Sequence, residues 1–293
     1  MNYRHIFHAG NICDVVKHAI LILLIEHLRA KPAPFCVLDT HAGMGLYDLQ
    51  DPRAQKTDEA QSGILRFLQA PLYSELTTYY ETLQRFNPGW QVVQEKTADH
   101  FRFYPGSPLV AAHLLRSQDR LIACELHPED AQTLKRQARA FPFMHIHHRD
   151  GYEALRAFLP PSEKRGLVVI DPPYESPEEF ARLAQESAAA CARWPQGIFM
   201  IWYPVKERPS IWRFHEMMVA SGIPRQLCAE FIYEEETRHD RLNGCGLLLI
   251  NPPWQFDEKL RLLLPALHEM MQTPARQVHV HWIVEEKKDI RAY

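Results

Sequence analysis

The strongest indication of the fold is "FCVLDTHAGMGLYDL", residues 35–49. An apolar run of strand length ends at Asp39 and enters a turn that contains Gly43 and Gly45. Glycine lets a backbone turn sharply and approach a ligand closely. In open α/β sheets, ligands bind beyond the carboxyl ends of the strands, where such turns lie. The stretch therefore predicts the first strand of an α/β sheet with a candidate ligand site at its end.

The rest of the chain alternates apolar runs of strand length with segments of helical spacing. This alternation is typical of a mostly parallel sheet with helices on both faces. We predict a Rossmann-like α/β fold with a mostly parallel seven-stranded sheet. Its terminal antiparallel hairpin would come from 225–233 and 244–251, which only a loop separates. The apolar runs are 35–40, 120–126, 143–148, 166–171, 197–204, 225–233, 244–251 and 277–286, and the helical segments are 12–29, 128–140, 151–159, 176–194 and 257–271.

Residues 50–104 interrupt this alternation. They carry two helical patterns, and in the second Leu72, Tyr79 and Phe86 follow a period of 3.6 residues. We predict a helical insertion subdomain at 50–104. The main domain would then consist of 1–49 and 105–293.

Two residues suit helix starts. Asn11 precedes the segment 12–29, and asparagine caps helix N-termini well. Ser107 is followed by Pro108, a pairing typical of a first helical turn. Ser107 has a second interpretation, a hydroxyl beside the ligand, and the sequence leaves both open.

Composition limits the class of protein. Apolar residues make up 46% of the 293, and no apolar run approaches the roughly 20 residues that cross a bilayer. The six cysteines include no C-x-x-C pair, so we predict free cysteines in a soluble, cytoplasmic protein. A net charge of −3 weighs against indiscriminate coating of nucleic acid, although it allows a local basic face.

Three predicted strand ends supply the parts of an adenosine pocket. The turn "HAGMG" lacks the glycine spacing of a dinucleotide fingerprint and the lysine of a P-loop. Glu125 closes the next strand, where an acidic residue commonly binds ribose hydroxyls, and the insertion explains its distance from Asp39. Asp150 and Gly151 follow the third strand, where an adenine amino group could be read. These ends predict a site of the S-adenosylmethionine kind.

Two strand-like runs end in similar motifs, "VVIDPPY" and "LLINPPW". Asp171 and the carbonyl of Pro172 could accept hydrogen bonds from an exocyclic amine, which would free its lone pair for methylation. Proline fixes the backbone, and Tyr174 offers a ring for stacking a flipped base. If 244–251 is antiparallel to the other strands, Asn251 lies at the opposite edge of the sheet. We therefore predict that Asp171 belongs to the site and that Asn251 begins a proline turn with a buried Trp254.

Motifs across nearly the whole chain resemble those of the RlmJ family, which are 23S ribosomal RNA adenine N6-methyltransferases of the class I fold. The motifs are "YRHIFHAGNICDVVKH", "LDTHAGMGLYDL", "FYPGSPLVA", "ELHP", "DGYEAL", "RGLVVIDPPYE" and "IWYPV". One departure is Met44, where a smaller residue is expected. The resemblance implies a monomeric enzyme that uses S-adenosylmethionine and no metal to methylate a specific adenine of 23S ribosomal RNA.

The resemblance also implies roles for individual residues. Asp171 would be catalytic, assisted by Pro172 and Tyr174. The substrate adenine or its RNA would contact Tyr3 and Tyr174, with His5 and Lys17 at the same entrance. The cofactor would be bound by His18, His41, Gly43, Ser107, Glu125, Asp150, Gly151 and Asp171.

Other functions remain to be weighed. DNA adenine methylation shares the chemistry, but the chain has no separate DNA-reading segment. A non-catalytic nucleoside-binding protein would not need an intact D-P-P-Y motif, and "HAGMG" disfavours a nicotinamide-dependent oxidoreductase. The histidines of "HIHH" (145–148) and "HVHW" (279–282) alternate along strands without a third ligand, so we predict no metal site. Trp202 could pack in the core or face the substrate.

Overall fold

A computed structural model describes residues 3–90, 100–236 and 241–285. The strands are β1 Cys36–Asp39, β2 Leu46–Asp48, β3 Phe103–Pro105, β4 Arg120–Glu125, β5 Met144–His148, β6 Gly166–Ile170, β7 Ile198–Val205, β8 Gln226–Ile232, β9 Gly244–Ile250 and β10 Gln277–Val284. The helices are α1 Ile12–Arg29, α2 Pro52–Thr57, α3 Glu59–Ser62, α4 Ile64–Phe67, α5 Thr77–Phe86, α6 Ser107–Leu114, α7 Pro128–Gln137, α8 Gly151–Phe158, α9 Glu179–Arg193, α10 Arg208–Ala220 and α11 Phe256–Met271.

The central sheet has the strand order β10-β8-β9-β7-β6-β1-β4-β5. Strands β5, β4, β1, β6 and β7 are parallel to one another. Because helices cover both faces, β1, β6, β8 and β9 are buried along their whole length, which is why they read as continuous apolar runs. The predicted α/β fold with a mostly parallel sheet is confirmed.

Strand β9 reverses direction. It pairs antiparallel with both β7 and β8, so the predicted hairpin of β8 and β9 is confirmed. The sheet, however, has eight strands rather than the predicted seven. The extra strand is β10, which adds antiparallel to β8 at the edge of the sheet. Its residues alternate in exposure because it lies at that edge, and residue 286 of the apolar run 277–286 is outside the described residues.

Helix α1 is the long helix predicted at 12–29. The side chain of Asn11 accepts a hydrogen bond from the backbone N–H of Asp14, so the predicted cap is confirmed. Most of its residues are buried, because the helix packs against α6 and α11 and also contacts β6. None of the helices in the described ranges is both long enough and apolar enough to cross a bilayer.

The segment predicted as a helical insertion contains α2 to α5 and a short 3₁₀ turn. The helix of its second pattern begins only at Thr77, and Leu72 is 55% exposed. Residues 91–99 lie outside the described residues, and the domain boundary at 50–104 stays a prediction. The small antiparallel sheet of β2 and β3, which joins the two ends of the segment, was not predicted.

Candidate functional site

Two adjoining cavities lie at the carboxyl ends of the parallel strands. The first has a volume of about 260 Å³ and the second about 510 Å³. Tyr3, His5, Lys17, Asp171 and Pro173 line both, so they form the wall between them. Every residue assigned to the cofactor by resemblance lines the first cavity: His18, His41, Gly43, Ser107, Glu125, Asp150, Gly151 and Asp171. Pro172 and Tyr174 line the second.

Glu125 organises the glycine turn after β1. Its Oε2 accepts the backbone N–H of Gly43 at 2.8 Å, and its Oε1 accepts that of His127 at 2.6 Å. Burial raises the pKa of this carboxyl, although the two backbone donors oppose the shift. Gly43 has a φ of 62°, in the left-handed region that favours glycine. Met44 packs against the core and lines neither cavity.

Ser107 is the first residue of α6, and Gly106 occupies the cap position. The serine hydroxyl instead donates to Asp39 Oδ2 at 2.7 Å. The interpretation of Ser107 as a helix cap is therefore wrong. Its side chain instead joins α6 to the end of β1. Burial raises the pKa of Asp39 to about 6, while the Ser107 hydrogen bond opposes that shift.

Two histidines at the wall of the first cavity are neutral. Burial lowers the pKa of His18 to about 3 and that of His41 to about 4. The Thr40 hydroxyl donates to the carbonyl of Val169, so His41 Nδ1 must donate to that hydroxyl and Nε2 is an acceptor. His18 Nδ1 contacts the Tyr104 hydroxyl at 2.8 Å, and its buried Nε2 has no hydrogen-bond partner among the described residues.

Asp150 caps helix α8. Its carboxylate accepts the backbone N–H groups of Tyr152 and Glu153 and an ion pair from Arg182. Burial alone would raise the pKa of Asp150, but these donors and the guanidinium hold it below its usual value. A Cβ on Gly151 would lie 2.5 Å from the carbonyl oxygen of Thr40, so only glycine fits between β1 and α8.

Asp171, Pro172 and Tyr174 follow β6, and Asp171 stands in the wall between the cavities. The Tyr174 hydroxyl donates to the backbone carbonyl of Trp202 at 2.6 Å. Its ring meets that of Trp202 edge-on, with centroids 5.8 Å apart. Trp202 lines the second cavity, so it both supports this corner and faces the cavity.

A chain of polar contacts connects the N-terminal segment to Asp171. The Tyr3 hydroxyl contacts His5 Nδ1 at 2.9 Å, and His5 Nε2 contacts Asp14 Oδ2 at 2.9 Å. Lys17 Nζ lies 2.9 Å from Asp14 Oδ1 and 2.6 Å from Asp171 Oδ2. Burial by itself lowers the pKa of Lys17, but the two carboxylates raise it well above its usual value. Lys17 therefore stays an ammonium inside the protein.

The second proline motif lies at the other edge of the sheet, because β9 runs antiparallel to β7. The Asn251 side chain donates to the carbonyls of Pro195 and Gly197, just before β7 begins. The predicted separation of Asn251 from Asp171 is confirmed. The prediction of a buried Trp254 is wrong, since this side chain is 81% exposed.

Among the described residues, one group has metal-ligating atoms close together: His215, Cys228 and Glu230. The hydroxyl of Tyr203 contacts all three, at 3.1, 3.2 and 3.0 Å respectively. Glu230 also pairs with Arg208. The hydrogen bonds and the ion pair already account for these side chains as a structural cluster beneath α10.

Sequence reasoning overlooked Asp14 and Arg182 and used Asp39 only as a strand end. The spacing of Asp14 and Lys17, three apart on a helix, places both side chains on one face and could have indicated their contact. Nothing local indicates that Arg182 reaches Asp150, because the pair is 32 residues apart in sequence.

Comparison with known proteins gives consistent matches. Residues 32–284 match the family model described as "Ribosomal RNA large subunit methyltransferase D, RlmJ". The ribosomal RNA large subunit methyltransferase J of Escherichia coli (strain K12) is 39% identical over 289 residues, covering 98% of this chain and 100% of that protein. The protein with the same name from Haemophilus influenzae is 35% identical over 288 residues, with the same coverage.

A solved structure shares the fold. The crystal structure of protein LPL1258 from Legionella pneumophila str. Philadelphia 1 superposes with a TM-score of 0.83 at 33% identity. The match covers 94% of this chain and 98% of that one. The two proteins therefore share the overall fold over nearly the whole of both chains.

Proposed function

The chain belongs to the RlmJ family of ribosomal RNA large subunit methyltransferases, and from this premise we propose that it methylates an adenine of 23S ribosomal RNA. The methyl group would come from S-adenosylmethionine and would be transferred to the exocyclic N6 amine. The observation that carries the proposal is the pair of adjoining cavities with Asp171 in their shared wall. One cavity would hold the cofactor and the other the flipped adenosine.

The residues of the first cavity fit S-adenosylmethionine chemically. The carboxylates of Glu125, Asp150 and Asp171 line this cavity, which suits a ligand with hydroxyl, ammonium and sulfonium groups. Acceptors such as His41 Nε2 suit hydroxyl or amino donors, and the buried Nε2 of His18 has no partner within the described ranges, so it could also contact the cofactor. A pyrophosphate would instead call for a nest of backbone N–H groups or basic side chains. The bound cofactor supplies a methyl group on a positively charged sulfur.

The residues of the shared wall would prepare the amine. The lone pair of an adenine amino group is delocalised into the ring, which makes it a weak nucleophile. Asp171 Oδ1 accepts no hydrogen bond within the described part of the chain, since Lys17 takes Oδ2, so Oδ1 is available to an amino N–H. The carbonyl of Pro172 is a second candidate acceptor. Two such acceptors would favour a pyramidal nitrogen with a free lone pair.

Substrate contacts would come from the second cavity. Tyr3 lines both cavities and stacks on His8, with ring centroids 5.6 Å apart. Tyr174 offers the stacking surface proposed for the flipped base, a common mode of recognising unpaired bases. Lys206 and Arg241 at the same cavity would contact phosphates. The proposal includes a monomeric enzyme in the cytoplasm, where ribosomal RNA is processed.

The test is a methyl-transfer assay with purified protein, labelled S-adenosylmethionine and fragments that tile 23S ribosomal RNA. We expect one fragment to accept label and mass mapping to locate a single N6-methyladenine. The matched control is a DNA oligonucleotide of the same sequence. Labelled DNA with unlabelled RNA would favour the DNA methyltransferase alternative. Cofactor binding without transfer to any nucleic acid would favour a nucleoside-binding protein.

A further inference from the structure

The carboxylate of Asp14 lies beneath the wall that separates the two cavities. It belongs to the first turn of α1 and is buried. Its Oδ2 accepts the backbone N–H of Gly10 at 3.0 Å and contacts His5 Nε2 at 2.9 Å. Its Oδ1 lies 2.9 Å from Lys17 Nζ. Both oxygens of this carboxylate therefore accept hydrogen bonds. Asp14 joins two arms of the polar chain described above: the Lys17 arm, which continues to Asp171, and the His5 arm, which continues to Tyr3.

We propose that Asp14 is a positioning residue for methyl transfer, which holds Lys17 against Asp171 and fixes the proton of His5 on Nε2. The inference rests on the proposed function. It extends that function to a side chain at the edge of the second cavity, whose two carboxylate oxygens are engaged by Gly10, His5 and Lys17. Asp14 would act through its two neighbours, each of which lines both cavities.

The Lys17 arm depends on charge. A buried ammonium is costly unless carboxylates compensate it, and Lys17 has Asp14 and Asp171 on opposite sides. With both carboxylates present, Lys17 keeps its proton and binds Asp171 Oδ2 at 2.6 Å. This contact orients Asp171 so that Oδ1 is left for the amine. The titratable groups that act on Lys17 or feel its charge are Tyr3, Asp14, His18, Asp39, Tyr79 and Asp171.

The His5 arm depends on the position of one proton. A carboxylate oxygen can only accept, so His5 must donate its Nε2–H to Asp14. In the neutral imidazole, His5 Nδ1 is then the acceptor for the Tyr3 hydroxyl at 2.9 Å. This contact sets the position of the Tyr3 ring at the entrance to both cavities. Without Asp14, either nitrogen could carry the proton and Tyr3 would lose its fixed acceptor.

The decisive variant is Asp14→Asn, which keeps the shape but not the charge. An amide has one acceptor oxygen and one NH₂ donor, while the site presents donors on both sides. The amide nitrogen must therefore face the Lys17 ammonium or the donors of His5 and Gly10. The matched control is Asp119→Asn, which removes a buried carboxylate that holds Arg116 and the N–H of Phe35, outside both cavities.

We expect Asp14→Asn to lower kcat by about 100-fold, the scale of a misplacement of about 1 Å. The affinity for S-adenosylmethionine, measured by calorimetry, should change less than about threefold. Asp119→Asn should lower stability but leave kcat within about twofold of the wild type. Unchanged kcat in a folded Asp14→Asn protein would overturn the proposal.

A pH profile separates positioning from a general structural defect. The wild type should keep its kcat from roughly pH 7 to 9, because two carboxylates keep Lys17 charged. In Asp14→Asn only Asp171 remains as a close partner, and burial then favours the neutral amine. The variant should lose kcat progressively over the same range. A uniform loss at every pH would contradict the Lys17 arm of the proposal.

A measurement on the free wild-type protein does not depend on the variant folding or on the RNA. Nitrogen-15 NMR of labelled histidine reports which ring nitrogen carries a proton. We expect His5 to carry it on Nε2, with Nδ1 unprotonated. A proton on Nδ1 would overturn the His5 arm. If the wild type transfers no methyl group to RNA, the proposed function fails, while this measurement still decides the link between Asp14 and His5.

Discussion

Asp171 is one of the five described residues that border both cavities. Lys17 binds Oδ2 of Asp171, which leaves Oδ1 available to a ligand. Substitutions at this wall should therefore distinguish groups that act on the amine from groups that bind the cofactor.

Asp171→Ala should abolish methyl transfer, with a loss of at least about 100-fold, because it removes the proposed acceptor for the amine. S-adenosylmethionine affinity, measured by calorimetry, should stay nearly unchanged. The control is Asn251→Ala at the similar motif, which should keep full activity because it lies at the opposite edge of the sheet. Loss of cofactor binding in Asp171→Ala would make Asp171 a cofactor residue. A folded but inactive Asn251→Ala protein would reverse the choice between the two motifs.

Tyr3→Ala should impair turnover on RNA more than cofactor affinity, because the ring would contact the substrate at the entrance to both cavities. Steady-state kinetics with RNA and calorimetry with S-adenosylmethionine measure the two effects. Tyr3→Phe keeps the ring and removes the hydroxyl that contacts His5, so its loss should be smaller. Equal losses in turnover and cofactor affinity would place Tyr3 in the cofactor site instead.

At the scale of elements, the site is assembled from turns that follow parallel strands. Glu125 at the end of β4 holds the turn after β1 through the N–H of Gly43. Ser107 at the start of α6 holds Asp39 at the end of the same strand. The end of β1 and the turn after it are therefore held by two neighbouring elements, β4 and α6.

Gly43→Ala should weaken S-adenosylmethionine binding by about 10-fold, or 1.4 kcal/mol. The φ of 62° disfavours a side chain, and a Cβ there would lie 2.1 Å from the hydroxyl of Tyr47. Calorimetry measures the loss. Gly222→Ala is the matched control, because its φ of 73° carries a similar backbone cost while its Cβ would meet nothing within 4 Å. Wild-type affinity in Gly43→Ala would mean that the turn does not shape the cofactor site.

Much of this assembly could be predicted from sequence, because the direction of a strand decides which residue stands at its functional end. That rule alone places Glu125, Asp150 and Asp171 at the site. The pairing of β2 with β3 could not be predicted, since it joins short segments more than 50 residues apart. The contact of Asp14 with His5 depends on how the N-terminal segment folds back onto α1. The exposure of Trp254 reflects the surface beyond β9, which apolarity alone does not reveal.

At the scale of the whole molecule, several buried groups titrate differently from the unfolded chain. Burial depresses the pKa of His18, His41 and His268 to about 3, 4 and 4, so each contributes stability above its unfolded pKa and loses it as the pH falls. Burial raises the pKa of Asp39 to about 6, and its contribution has the opposite sign. Between about pH 5 and 6, the three histidines are protonated in the unfolded chain but neutral in the folded protein, whereas Asp39 binds its proton in the folded protein. At these four groups the unfolded chain therefore binds about two more protons than the folded protein.

These four groups should therefore lower the free energy of unfolding by at most roughly 2.7 kcal/mol as the pH drops from about 6 to 5. Urea titrations at the two pH values measure the change. His268→Gln should reduce this change by up to about half, because it removes one of the three histidine protons, and that ring lies outside both cavities. A free energy that stays constant over this range would show that these histidines can be protonated without unfolding.

Tyr174 has a left-handed backbone conformation in the proline-containing loop that follows β6. Its φ of 51° costs a non-glycine residue about 1–2 kcal/mol. The hydroxyl bond to the carbonyl of Trp202 and the packing against Phe180 offset that cost. The hydrogen bond to β7 thus holds this loop in a strained conformation, and loss of that bond would allow the backbone at Tyr174 to relax. Because Trp202 belongs to β7 and lines the second cavity, this bond ties the loop that carries Asp171 to the wall on the proposed substrate side.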